Sequence, residues 1–238
     1  MPATALVQLM KTMTTVMQLS ILAPMLVVWL RRQEFAPAVK VLSWYVYLSA
    51  LCTASIWLMI ANGYDNSLAI ISFNIGKIAL FGVVYSLVMD SVRMRRLVRG
   101  TTLVAVLICV GLTLAGLFAH SFDLAVVVSR VIQSAVLAAF ALGYFEQMLG
   151  RNNAVPLSRD PIWLLSVGQL LYSAGTVTAF SLDYLSVTQY DQAPKYIMVS
   201  VIGIIFNGFL TLAFWRAKPL PAVAADTETS LAGQLARA

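Results

Sequence analysis

Seven long apolar segments run through the chain, separated by short polar connections. Each is close to the roughly 20 residues that a helix needs to cross the hydrocarbon core of a bilayer. None alternates apolar and polar residues as the strands of a membrane barrel do. The pattern predicts an all-α fold, a seven-transmembrane-helix bundle within residues 1–217, with helices at about 5–30, 38–62, 68–91, 101–120, 122–149, 161–182 and 194–216. The polar, alanine-rich residues 218–238 are predicted to form a disordered cytoplasmic tail.

Composition agrees with this fold. Hydrophobic residues make up 60% of the chain and charged residues only 11%, with a mean hydropathy of +0.84. A soluble domain carries about a quarter charged residues, so lipid must be the main solvent of this chain. The seven spans leave almost no room for a soluble catalytic domain.

Basic residues fall in the connections on one side of the predicted bundle. The connections on the other side carry aspartates instead, at Asp65, Asp123, Asp183 and Asp191. Because short cytoplasmic loops are enriched in Lys and Arg, the N-terminus is predicted to lie outside and the C-terminus in the cytoplasm, with a bacterial cytoplasmic membrane as the location. Orientation also explains most of the net charge of +6, so a nucleic-acid partner is not expected.

Four arginines cluster between the third and fourth predicted helices. We expect them to contact anionic lipid headgroups, each charge contributing about 1 kcal/mol, or to dock a separate cytoplasmic signalling protein. The residues are Arg93, Arg95, Arg96 and Arg99.

Three basic residues lie within the spans instead of at their ends. Lys11, Lys77 and Arg130 are six to nine residues into their helices, or about 9 to 14 Å below the outer boundary at roughly 1.5 Å per residue. A charged side chain facing lipid at that depth costs several kcal/mol. We therefore expect these cations to face the bundle interior or a hydrated cavity.

Polar stripes on five helices predict the rest of a site. Residues at helical spacing share a face, and five such faces around one interior indicate an outward-facing pocket, cationic in its upper half, for a small anionic or polar ligand. The predicted ligand-binding residues are Lys77, Arg130, Asn74, Gln133, Gln169, Tyr172, Ser173, Asn207 and Lys11. In the alternative interpretation, Lys11 extends to the outer interface and the amides and hydroxyls only join helices.

Several chemistries are not expected. The sole histidine, His120, lies at a helix end and no His/Cys cluster has zinc-ligand spacing, so neither haem nor metal is predicted. The last helix has no lysine between Tyr196 and Trp215, where seven-helix photoreceptors form their Schiff base. No buried nucleophile has a histidine partner. We predict no cofactor, no metal and no enzymatic activity.

The stretch Leu170-Leu171-Tyr172-Ser173-Ala174-Gly175, followed by Asn207 in a glycine-rich last helix, resembles small bacterial seven-helix membrane proteins. Those proteins lack appended domains and are associated with two-component signalling. The resemblance covers the sixth and seventh helices. It implies a sensory role without assigning a ligand or binding residues.

Two functions compete on these observations, with a third in reserve. The first is a receptor or sensor that binds its ligand in the outer pocket and signals to a separate cytoplasmic protein. The second is a transporter of a small anionic or polar solute by alternating access, and the third is an accessory subunit of a membrane complex. Residues 78–84 and 135–143, below Lys77 and Arg130, are almost wholly apolar. This apolar layer favours a pocket that is closed towards the cytoplasm over a path through the bundle. Oligomeric state, and whether helices 1–3 and 5–7 form a repeat, stay open.

Overall fold

The structure, a computed structural model, describes residues 3–31, 35–150, 160–183 and 192–217. These residues form eight helices: α1 (Ala3–Leu19), α2 (Leu22–Arg31), α3 (Pro37–Ala61), α4 (Ser67–Val88), α5 (Val92–Ala119), α6 (Asp123–Leu149), α7 (Pro161–Asp183) and α8 (Gln192–Arg216). Seven spans within the described residues are long and apolar enough to cross a membrane, the first combining α1 and α2 over Ala5–Arg31. The predicted seven-helix membrane bundle is confirmed. The tail and the last predicted outer loop lie outside the described residues.

The first span is interrupted between α1 and α2. Pro24 lacks the backbone N–H that would otherwise bond to the carbonyl of Ser20, four residues earlier, so a regular helix cannot continue through this point. The Ala23 N–H donates to that carbonyl instead, at 3.3 Å. The Ser20 hydroxyl donates to the Met17 carbonyl at 2.6 Å. These bonds satisfy backbone acceptors that the break would leave open in the membrane.

Helix α5 begins nine residues before the predicted start at 101, which corrects the sequence analysis. The four arginines lie on its first two turns, not in a connection. Hydropathy ends a predicted span at charged residues, but arginine is a good helix former, so the helix continues. Its 28 residues extend to about 42 Å, beyond a hydrocarbon core of about 30 Å. The other boundaries lie within three residues of the prediction.

The helices pack as a ring with one helix outside it. Helix α4 contacts α3, α5 and α6, and α7 lies between α6 and α8. Helix α8 in turn contacts α1 and α2, and the contact of α2 with α3 closes the ring. Helix α5 packs outside this ring against α4 and α6. Side chains from α4, α6, α7 and α8 therefore meet in the interior.

The two ends of the bundle differ in their charge. At one end of the bundle, α2 and α8 end and α4 is followed by α5; we call this the basic end. We call the other end of the bundle the opposite end. At the basic end the Arg31 guanidinium donates to the carbonyls of Trp215 and Ala217, the latter at 3.1 Å. Those carbonyls lie at the C-terminus of α8, where carbonyls have no partner within the helix. Arg31 therefore joins the end of the first span to the end of the last.

The interior near the basic end is a dense apolar core. Its members are nearly inaccessible and come from α3, α4, α6, α7 and α8, and they include Leu42, Val46, Phe81, Val84, Leu137, Phe140, Leu165, Leu210 and Phe214. The outer surface is also apolar, with Leu51, Leu107 and Phe118 among many exposed large side chains. A surface of that kind requires lipid around it, since exposed apolar patches of this extent are unstable in water.

Candidate functional site

Lys77 lies in the middle of α4 and is only 1% exposed. Its ammonium nitrogen lies 4.2 Å from the centre of the Tyr172 ring and 4.7 Å from that of Phe206. The rings of Tyr45 and Phe81 follow at 5.5 and 5.6 Å. We call these four rings, contributed by α3, α4, α7 and α8, the aromatic cage. The structure thus agrees with the prediction that Lys77 faces the bundle interior.

The cage rings also contact one another. Tyr45 meets Phe81 and Phe206 edge to face, with ring centres 5.4 and 5.9 Å apart. Tyr172 packs on Phe206 at 5.4 Å. Edge-to-face contacts are favourable in themselves because the positive edge of one ring meets the negative face of another. The rings are therefore held in place by each other as well as by Lys77.

The ammonium has no carboxylate beside it in the part of the chain that the structure describes. Every acidic residue whose side chain is described lies at or next to a helix end: Asp65, Asp90, Asp123, Glu146 and Asp160. All are exposed except Asp160, which is half-buried. Burying an ammonium costs several kcal/mol even after the protein relaxes. Contact with ring faces offsets only part of that cost, so the cage leaves Lys77 strongly attractive to an anion.

Polar residues on α4 and α6 surround the cage towards the opposite end. Asn74, one turn before Lys77, donates its amide N–H to the Ser129 hydroxyl at 3.0 Å. Gln133 is 3% exposed on the same helix as Ser129. Arg130 is half-buried and close enough to Tyr172 for an electrostatic interaction. The structure therefore brings these predicted residues to one side of the bundle interior.

Two further polar atoms in this layer lack a partner within the described residues. Gln169 is fully buried and donates its amide N–H to the Ser173 hydroxyl at 3.0 Å. Its carbonyl oxygen Oε1 accepts no hydrogen bond from the described residues. The Ser134 hydroxyl forms no hydrogen bond with the described residues either. Buried polar atoms in native proteins are paired in the great majority of cases. Two such atoms in this part of the interior are unusual, and each would gain a hydrogen-bond partner from a polar ligand.

Lys11 and Asn207 lie away from the cage, which corrects their place in the predicted set. Lys11 is exposed on α1, although Thr14, three residues later, places its hydroxyl 3.4 Å from that of Ser200 on α8. Asn207 is buried but points to the break in the first span, donating to the Ser20 hydroxyl at 2.7 Å. Its structure-supported role is to join two helices. The predicted pocket opening to the exterior also differs from the structure, in which the rings enclose the Lys77 ammonium.

The cage residues Tyr45 and Phe206 were missed by the sequence analysis. Both lie in apolar spans where an aromatic residue is the expected filling of a membrane bundle. Only the packing of α3 and α8 against α4 reveals them as partners of a charged group. No local pattern in the sequence carries that signal.

The arginines of α5 divide into two kinds. Arg93, Arg96 and Arg99 are exposed, as a lipid or partner contact requires. Arg95 is half-buried and donates to the Met89 carbonyl at 3.0 Å, closing the turn between α4 and α5. The predicted contact surface therefore narrows to three arginines, and their partner stays a prediction.

An aromatic floor separates the cage from the basic end. It consists of Tyr85, Phe140 and Tyr144, which are 0%, 4% and 3% exposed. The Tyr85 ring packs on the other two, with centres 5.9 and 6.2 Å apart. The Tyr85 hydroxyl and the Ser166 hydroxyl are hydrogen-bonded at 2.9 Å. The floor leaves no polar path between the cage and the basic end among these residues.

No family model, no curated protein and no solved structure matches this chain. The resemblance to two-component-associated membrane proteins therefore stays a prediction. What the site can do follows from the side chains around Lys77.

Proposed function

We propose that this protein is a membrane receptor that binds a small anionic or polar ligand at Lys77 and signals to a separate cytoplasmic partner. The observation that carries the proposal is the burial of the Lys77 ammonium at 1% exposure among four aromatic rings. The described carboxylates lie at helix ends and do not pair with this cation. An anionic ligand would therefore stabilise it. Structural lysines in membrane spans usually reach an interface instead.

A ligand anion outcompetes the ring faces for the ammonium. Two opposite unit charges about 4 Å apart interact by about 4 kcal/mol at an effective dielectric constant near 20. A desolvated contact between a cation and one ring contributes about 2 kcal/mol. The ammonium therefore interacts more strongly with a carboxylate or similar group than with the closest ring, Tyr172.

The aromatic floor favours a receptor over a transporter. A solute crossing the bundle would have to pass Tyr85 and Phe140, which are packed together and nearly inaccessible. Alternating access requires a hydrated route on both sides of the binding site. A site that is closed towards the basic end meets the needs of a sensor, which binds a ligand without passing it across the membrane.

Movement of the cage rings supplies a route for the signal. Tyr172 and Phe206 lie on α7 and α8, which pack closely where Gly168 meets Phe209 and Gly175 meets Ile202. A ligand that displaces either ring therefore shifts the two helices together. Helix α8 ends at the basic end, which in the proposed orientation faces the cytoplasm. A ligand changes this equilibrium only through its different affinity for the two arrangements.

The proposed orientation puts the N-terminus outside and the basic end in the cytoplasm of a bacterial cell. Arg93, Arg96 and Arg99 are then available to a cytoplasmic signalling protein or to anionic headgroups. An excess of Lys and Arg in short cytoplasmic connections is the physical basis of this choice.

Ligand binding is tested by thermal unfolding of the purified protein in lipid nanodiscs with acetate, lactate, succinate and phosphate. We expect at least one anion to raise the melting temperature of the wild type and to have no such effect on Lys77→Met. Lys40→Met is the matched control, since Lys40 is exposed at the start of α3, and it should respond like the wild type. Equal stabilisation of Lys77→Met and the wild type would overturn the proposal.

Flux measurements separate a receptor from a transporter. The stabilising anion is radiolabelled and its uptake into proteoliposomes is compared with that into protein-free vesicles. We expect no uptake above the protein-free level. Concentration-dependent uptake that Lys77→Met abolishes and Lys40→Met retains would assign the protein as a transporter instead.

A further inference from the structure

We infer that the ligand is a small carboxylate bearing a hydroxyl group close to the carboxyl carbon, a 2-hydroxycarboxylate. The inference rests on the proposed function and specifies the ligand class of the same site. It is carried by three buried groups with complementary requirements: the Lys77 ammonium, the Gln169 Oε1 atom and the Ser134 hydroxyl.

These three groups lie at similar depth in the bundle. Lys77 is 10 residues from the start of α4, Ser134 is 11 from the start of α6 and Gln169 is 14 from the end of α7. All three helix termini are at the opposite end, so at roughly 1.5 Å per residue the depths are about 15, 17 and 21 Å. The groups thus fall within little more than one helical turn. Helix α6 packs on both α4 and α7, so the three groups lie at similar depth on neighbouring helices.

Each group requires a different part of a ligand. The ammonium attracts an anion. The Gln169 oxygen can only accept a hydrogen bond, and one of the two amide N–H groups of that side chain donates to the Ser173 hydroxyl. The ligand must therefore bring a donor as well as a negative charge. The Ser134 hydroxyl can donate to a carboxylate oxygen or accept from the ligand.

The donor is a neutral hydroxyl, because the local charge disfavours an ammonium group. Lys77 places a cation 4.2 Å from the centre of the Tyr172 ring, and the acidic side chains that the structure describes lie at helix ends. An ammonium on the ligand would be repelled by Lys77, and none of the described carboxylates lies beside that lysine to offset the repulsion. A hydroxyl adjacent to the carboxylate satisfies Gln169 without adding positive charge.

The test compares ligands that differ only by the hydroxyl. Binding of lactate and propionate, and of malate and succinate, is measured by calorimetry on the full chain in nanodiscs. A buried acceptor left without a partner is costly, so we expect the hydroxylated member of a pair to bind roughly tenfold more tightly. Gln169→Met should bind both members alike. Gln8→Met, an exposed control on α1, should keep the preference.

The possible results test the hydroxyl assignment separately from the proposed receptor function. Equal binding of both members, lost in Lys77→Met, would overturn the hydroxyl assignment and leave the receptor proposal standing. A preference that survives in Gln169→Met would also overturn the assignment. If no member binds more tightly to the wild type than to Lys77→Met, the proposed carboxylate site itself fails. If Gln169→Met does not fold, Ser134→Ala replaces it in the test, because this substitution removes only one oxygen atom. Ser134→Ala should weaken lactate binding severalfold. An unchanged affinity for lactate would count against the inference.

Discussion

Replacing Lys77 by methionine should stabilise the protein while abolishing ligand binding. The ammonium is 1% exposed and faces rings in place of a carboxylate. Its burial costs several kcal/mol, and contacts with the two nearest rings return about 1 to 2 kcal/mol each. Methionine fills similar space, carries no charge and gains about 0.3 to 1.5 kcal/mol from sulfur–aromatic contact. We expect the free energy of unfolding to rise by about 1 to 3 kcal/mol.

That gain corresponds to a measurable increase in melting temperature. A change of 1 kcal/mol shifts the melting temperature of a protein of this size by about 2 to 4 °C, so we expect an increase of about 2 to 10 °C. Circular dichroism during heating of the nanodisc-embedded protein measures it. Lys40→Met, at an exposed position, should change stability by no more than about 0.5 kcal/mol. A Lys77→Met protein less stable than the wild type by about 1 kcal/mol or more would refute the reasoning, because Lys77 would then be a structural residue that the cage fully compensates.

Two further substitutions test how the helices are held together. Asn207→Ala should lower the free energy of unfolding by about 0.6 to 1.5 kcal/mol, the range for hydrogen bonds between membrane helices, because it removes the bond to Ser20; unfolding in urea measures it, and no loss would show that this bond is dispensable. A Cβ at Gly175 would lie 2.0 Å from the Ile202 methyl carbon Cδ1, so Gly175→Ala should destabilise by about 1 to 3 kcal/mol. Gly208→Ala is its control, since a Cβ at Gly208 meets nothing within 4 Å, and equal effects at both positions would contradict the packing described.

The fold followed from the sequence because the physics of a lipid solvent is restrictive. Apolar length alone predicts the spans, and the residues that the structure describes contain seven of them. The start of α5 was wrong because the hydropathy pattern ends at Arg93–Arg99 whereas the helix does not. Hydropathy reports which residues lie in lipid, and a helix can extend beyond the hydrocarbon. A helix boundary outside the hydrocarbon can therefore be located only from the backbone coordinates.

The site followed from the sequence only in part. The cost of a charge in lipid predicts that Lys77 is interior, and its burial agrees. The same argument misplaced Lys11, because a lysine nearer the helix end can turn outward. The other features of the site depend on side-chain contacts between helices that are far apart in the sequence. The approach of Phe206 to Lys77 and of Asn207 to Ser20 depends on how α8 is rotated against its neighbours, which no single-helix pattern specifies.

The direct test of the account is the behaviour of the Lys77 amine itself during a ligand titration. Protein with 15N-labelled lysine side chains in nanodiscs gives one Nζ resonance per ordered lysine, and the signal absent from Lys77→Met is that of Lys77. Titration with lactate should move this resonance saturably and leave that of Lys40 in place. A Lys77 resonance that stays unmoved throughout the titration, while the protein binds lactate, would contradict the account.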